Sequence, residues 1–231
     1  MSSRSRPVTR TTSEETKNQI KAAAQMLFAR HGVDAVTVQQ IVSAAGQRNN
    51  AALHYHFGSK EELIRQMVVD GAAVLDERRR GMLLEIEARG GPTSIREVLI
   101  VLVMPVIELA DDERWRGYIR FTSHLQASDR KTLRSALNNR WNTGYVACFE
   151  YLKEMLPLPA KLIEQRLTMF SIYANAILSA HEAALESKSR SDRLWGQPFT
   201  IDNMLDTMEA MITSPPSAPT LEKLQADKNS R

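Results

Sequence analysis

The stretch from Thr37 to Leu63 constrains this 231-residue chain more than any other, because it reads as two short helices meeting at a glycine. Thr37 offers a side-chain oxygen to cap the first, and Val38, Ile41, Val42 and Ala45 recur at the spacing of one apolar helix face. Gly46 breaks that helix. The next segment carries Gln47, Arg48, Asn49, Asn50, His54, Tyr55 and His56, which can bond phosphates or base edges. Ala51, Ala52 and Leu53 keep it slim enough for a major groove. Ser59 with Glu62 three residues on predicts a capping box at the start of a further helix. The plain alternative is a two-helix corner in an unrelated all-α protein.

The surroundings weigh against that alternative. Residues 12–31 predict an amphipathic helix with Ile20, Ala24, Leu27 and Phe28 on one face and Gly32 as its stop, which completes a three-helix head over residues 12–58. The run Ala23 to Gly32, then Thr37 to Ile41, then Leu53 to Leu63 (Leu-His-Tyr-His-Phe-Gly-Ser-Lys-Glu-Glu-Leu) resembles the TetR/AcrR family of bacterial transcriptional regulators over roughly residues 14–64. The resemblance implies phosphate contacts from Tyr55 and Lys60 and a homodimeric repressor whose body binds a small effector and releases DNA. Thr37 is expected to combine capping with a phosphate contact. Gly46 and Phe57 are eleven apart, one more than is commonest in that family, so the turn is longer and the recognition helix starts somewhere among Gln47 to Asn50.

Charge is unevenly placed. The net charge is +3, yet residues 1–60 hold eight basic against three acidic side chains, leaving 22 against 24 in the rest. A basic end suits attraction to a polyanion, with salt-sensitive binding. A membrane surface is the rival partner, but no run of eighteen apolar residues exists and the N-terminus lacks a signal peptide's apolar segment, so a cytoplasmic protein without membrane attachment is expected. Residues 1–11, with Arg4, Arg6 and Arg10, read as a flexible basic arm, either reaching a groove or simply solvated. Cys148 is the single cysteine, on a stripe with Trp141 and Tyr145, and reads as a buried hydrophobe rather than a redox sensor.

Residues 59–213 read as a helical body with no period-two alternation. Helices are expected from Ser59 to Glu87, from a Thr93 cap through Pro105, over 112–126, from Ser128 to about Met155, over 160–187 and over 201–213. Small residues such as Ala176 and Ala180 on the 160–187 helix favour a two-fold dimer face containing Ala174, Ile177, Leu178 and Leu205, unless these helices only close the protomer core. Residues 214–231, with Pro215, Pro216 and Pro219, read as a disordered tail.

Between the body helices the chain concentrates Trp115, Phe121, Trp141, Tyr145, Phe149, Phe170 and Tyr173 among Arg120, His124, Asn142 and Asn175. Aromatic walls with a few polar groups suit a mainly hydrophobic ligand, neutral or acidic, with Arg120 and His124 four apart on one face as its polar contacts, though the same residues also build ordinary cores. An enzyme finds little support. His181-Glu182 starts like a zinc-protease helix but has Leu185 where the second histidine belongs, and His54 and His56 cannot point the same way. The expectation is therefore an all-α DNA-binding regulator without metal or cofactor, partnered by a double-stranded operator, a small hydrophobic effector and a second copy of itself. An activator, a ligand-independent regulator or a protein-binding helical module are the alternatives.

Overall fold

The computed structural model describes residues 12–138, 140–187 and 192–229, and all regular structure among them is helical. The predicted arm at 1–11 lies outside the described residues. Three helices form the head: α1 (Ser13–His31), α2 (Val38–Ala44) and α3 (Ala51–Phe57). Thr12 caps α1 in a reciprocal box with Glu15, and Thr37 does the same for α2 with Gln40, so both starts are set within four residues. Ile20, Ala24, Phe28, Ile41, Val42 and Leu53 close a small core between these helices. Its floor is Leu63, Ile64 and Met67 of α4 (Lys60–Glu87), which runs unbroken from the head into the body. Ser59 caps α4 by accepting from the Glu62 amide, without the return bond of a full box.

The body surrounds α5 (Ile95–Asp111), which is buried on nearly every side and continues through Pro105. Its cap is Ser94 rather than Thr93; the Thr93 amide instead donates to the Glu97 carboxylate. The expected 112–126 helix is replaced by a 3-10 turn at Glu113–Trp115, a left-handed Gly117 (φ 85°) and α6 (Tyr118–Ser128). The expected helix from Ser128 to Met155 is two helices, α7 (Arg130–Leu137) and α8 (Thr143–Met155), because Asn138 adopts a left-handed conformation (φ 42°) that ends α7. Then come α9 (Ala160–Glu186), a 3-10 turn at Asp192–Gly196, α10 (Thr200–Thr213) and α11 (Ala218–Asn229). The last occupies the predicted disordered tail. Its Pro219 lies in the first turn, where no helical amide bond is lost, Leu221 to Lys228 are mostly good helix formers, and Lys161 of α9 pairs with Asp227.

Two buried carboxylates start helices that lack side-chain caps of their own. Glu182 of α9 accepts from the amides of Gly117 (3.0 Å), Ile119 (3.2 Å) and Arg120 (2.9 Å) at the start of α6. Asp76 of α4 accepts from the Gly144 amide and the Thr143 hydroxyl, both at 2.7 Å, at the start of α8. Each places an anion where orphan amides and the positive end of the helix dipole lie.

Gly71 permits the closest approach of α4 to α6. A Cβ there would stand 2.2 Å from the Tyr118 ring, whose hydroxyl donates to the Val68 carbonyl at 2.9 Å. Gly71→Ala must displace that ring. It is expected to cost about 1–3 kcal/mol, read as a lower urea midpoint, while Gly81→Ala, exposed inside the same helix with open space around it, should raise the midpoint through about 1 kcal/mol of helix propensity.

Candidate nucleic-acid interface and interior cavity

The turn between α2 and α3 decides what the head presents. Gly46 takes a positive φ of 71°, the Gln47 amide returns to the Val42 carbonyl at 2.8 Å, and Asn49 Oδ1 accepts from the Ala51 amide at 3.0 Å. The helix expected to read DNA, α3, therefore begins at Ala51, and Gln47 to Asn50 all lie in the turn that leads into it. Leu53 and Phe57 face the core. Arg48, Asn49, Asn50, His54 and Tyr55 are exposed, Tyr55 to 82 %, and His56 is half-buried with its ring edge-on to Tyr55. Turn and helix thus form one polar edge, supported from behind by an apolar one.

Not every predicted contact is free to leave the protein. The Gln47 amide group donates to Gln19 and to the Ala45 carbonyl, both at 3.3 Å. The Thr37 hydroxyl accepts from the Gln40 amide and donates to Gln40 Oε1 at 3.0 Å. His54 Nδ1 donates to the Gly58 carbonyl at 2.9 Å, which leaves Nε2 for an outside partner. Lys60 departs furthest from expectation: its ammonium donates to the carbonyls of Val33 (2.7 Å) and Val36 (2.6 Å) and lies 5.7 Å from the Phe28 ring centre. A cation held by two carbonyls of the α1–α2 loop, one of which otherwise has only a long 3.5 Å bond from the Val36 amide, is committed to them before it can reach a phosphate, so Lys60 pins that loop to α4. Two residues missed in the sequence, Gln39 and Ser43, are exposed on α2 and bonded to each other at 3.1 Å; their outward spacing of four was the available signal.

The body holds a cavity of about 370 Å³ between α4, α5, α6, α7, α8 and α9. Of the residues expected to meet a ligand, Trp141, Tyr145, Phe149 and Phe170 line it, with Asn142 and Asn175. The others do not. Phe121 is buried against Phe28 of the head with ring centres 5.6 Å apart, and Trp115 sits edge-on to Tyr118. The Tyr173 hydroxyl meets Thr207 of α10 at 3.1 Å. Arg120 is held by Glu182 and Glu186, so it anchors α6 to α9 instead of facing a ligand. His124 is exposed beside Gly32. In their place the cavity takes Arg79 of α4, with Arg130 and Arg134 exposed on α7. Arg79 was hidden in the run Glu77-Arg78-Arg79-Arg80, which reads as solvated charge. Its signal was the spacing Val68, Ala72, Leu75, Arg79 along one stripe of α4. Burial pushes its guanidinium below its ordinary value and the neighbouring Cys148 thiol up to about 12, which fits Cys148 as an inert core residue.

The expected dimer residues are also redistributed. Leu178 and Leu205 are turned into the protomer's own core, Ala174 lines the cavity and Ile177 is half-buried against the core. The outward stripe of α9 is Met169 (51 % exposed), Ile172 (58 %), Ala176 and Ala180, next to the exposed Thr207 and Ala210 of α10. Among the described residues no helix is long and apolar enough to cross a membrane.

A capped three-helix head with a polar turn and recognition helix, carried on a helical body by one continuous helix, defines the helix-turn-helix class. The sequence model of bacterial regulatory proteins of the tetR family matches residues 20–67, which are most of the head and the first turns of α4. It is 33 % identical over 120 residues to the HTH-type transcriptional dual regulator CecR of Shigella flexneri, a match that covers 50 % of this chain and 53 % of that protein. The chain thus spans about half the length of this relative. Its fold is similar to that of the fatty acid degradation regulator FadR from Bacillus halodurans, with a TM-score of 0.55 and 18 % identity over 86 % of this chain and 95 % of that one. It is also similar to the probable transcriptional regulatory protein RHA5900, with a TM-score of 0.54 and 20 % identity over 88 % and 100 %.

Lys60→Met removes one ammonium and both of its bonds to the loop carbonyls. It is expected to lower stability by about 1–3 kcal/mol in urea denaturation and to leave the salt dependence of DNA binding unchanged. A slope reduced by about one unit, with no loss of stability, would return Lys60 to the phosphate backbone.

Proposed function

We propose that the protein is a sequence-specific DNA-binding transcription regulator of the cytoplasm, a homodimeric repressor that leaves a palindromic operator when a small, mainly hydrophobic effector fills the cavity. The observation that carries this reading is that α4 and α6 both wall the cavity and both hold the head. α4 is continuous with it and pairs Asp70 with Lys21 of α1 at 2.6 Å. On the α6 side, Phe121 stacks on Phe28, and the Gln25 side chain donates to the Arg116 carbonyl at 2.9 Å. A ligand that favours another spacing of α4 and α6 favours another head orientation, and lowers DNA affinity by the same coupling free energy.

Base reading falls to Arg48, Asn50 and His54, with Tyr55 and His56 on phosphates. Arg48 suits guanine and the asparagine adenine. Two heads reach successive major grooves when a dimer holds them about 34–36 Å apart. The outward α9 stripe with α10 supplies an apolar face for that dimer. The test is selection of binding sites from randomised duplexes by the purified protein, expected to return an inverted repeat. Arg48→Ala should cost about 1–3 kcal/mol of operator affinity and relax choice at one position of each half-site. Recovery of no preferred sequence would overturn the reading.

The dimer face has its own check. Ile172→Glu puts a charge on an exposed position, so the fold should survive while self-association is lost. Light scattering is expected to give the mass of one chain, with operator affinity down at least tenfold. An intact dimer would move the interface off α9.

A further inference from the structure

Resting on the reading of the cavity as an effector site, we infer that its occupant is a hydrocarbon chain ending in one carboxylate, and that Arg79 receives the carboxylate. Arg79 is 9 % exposed and lines the cavity. One guanidinium nitrogen donates to the Leu102 carbonyl at 3.0 Å, and the buried Nε has no partner. No carboxylate approaches within 4 Å of the guanidinium among the described residues. Asp76, one turn earlier and the nearest acid acting on it, spends its oxygens on Thr143 and Gly144. The Tyr145 ring flanks the guanidinium at 5.6 Å, and Cys148 supplies no counter-charge as a neutral thiol. A buried cation with unused donors in a largely apolar wall is costly until an anion reaches it, and a planar fork matches a carboxylate in two bonds.

A second polar group points the same way. Asn142 Oδ1 is buried without a partner at the cavity wall, and Gly144 two residues on lies against the stem of Arg79. With its amide turned over, Asn142 donates to the same anion.

The remaining wall sets the other end of the molecule. Val68, Ala72 and Leu75 lie on the same stripe of α4 as Arg79, so the cavity follows α4 for about 16 Å, three helical turns. It ends near Tyr118, whose hydroxyl is already satisfied by the Val68 carbonyl. That length and a volume of about 370 Å³ suit a chain with its charge at one end. One deep arginine suits a monoanion better than a phosphate dianion. Arg130 and Arg134, exposed on α7, draw an anion towards the opening.

The test is calorimetric titration of the purified full chain, without DNA, using decanoate and its neutral counterpart 1-decanol. The wild type is expected to bind decanoate at least tenfold more tightly. Arg79→Met should abolish that preference while still binding 1-decanol, and should melt no lower than the wild type, since it removes an uncompensated buried charge. If Arg79→Met does not fold, Arg79→Lys, which keeps the charge but loses the fork, should retain a smaller preference. Equal binding of acid and alcohol by the wild type, binding of neither, or a preference that survives Arg79→Met overturns the inference. So does a preference lost only in Arg130→Ala with Arg134→Ala, which would place the anion at the opening. If decanoate binds through Arg79 but leaves operator occupancy unchanged in a gel shift, the inference stands and the effector reading falls.

Discussion

Glu182 is the residue on which the body's geometry depends. It is 1 % exposed on α9, yet it supplies the cap that α6 lacks and holds Arg120 at the same time. Burying a carboxylate is costly, and three amide donors, a guanidinium and the helix dipole offset that cost only while α6 keeps this position. Asp76 repeats the arrangement from α4 to α8. The two helices that face each other across the cavity are therefore started by acids on the two longest helices, and the cavity is framed by polar joints rather than by apolar packing alone. Apolar surfaces slide at little cost, whereas a buried ionic cap has one geometry that satisfies it.

What the sequence made legible was what is decided locally. The caps at Thr37 and Ser59, the stop at Gly32, the break at Gly46 and the inward stripes of α1 and α2 depend on residues three or four apart, and each is where its spacing predicts. The tertiary caps were not legible, because Gly117 and Glu182 are 65 residues apart and nothing local marks them as partners. The break between α7 and α8 was missed for another reason. Leu137, Trp141 and Tyr145 keep a spacing of four across it, so the apolar stripe stays in phase while the backbone does not. The pair Asn138-Asn139 and the run Asn142-Thr143-Gly144 were the only warnings.

The candidate sites divide in the same way. The polar edge of the head was readable by residue type, but long side chains choose their partners in three dimensions: Lys60 turned to loop carbonyls and Arg120 to two glutamates. On α9 both faces are apolar. Periodicity finds the stripe with Leu178 and the stripe with Ile172 equally well, and only the position of α5 and α10 tells which one is inside.

The joints between head and body are what the proposed switch would have to move. The head's small core is closed from below by the first turns of α4, and the head is attached to the body along α4 and through α6. The α6 attachment rests on a ring stack, the bonds of the Gln25 side chain to the Arg116 and Arg114 carbonyls, and the contact of α1 with α6. Allosteric couplings are typically about 1–3 kcal/mol, a factor of roughly 5–150 in affinity, which is the scale of a few such contacts rather than of a whole core. The Gly71–Tyr118 joint lies between the cavity and these attachments: Tyr118 lines the cavity, sits on the glycine of α4 and belongs to α6. In the proposed switch, a ligand that presses on Tyr118 would act on both attachments at once. In the proposed dimer, a shift at these attachments would change the spacing of the two heads without unfolding either.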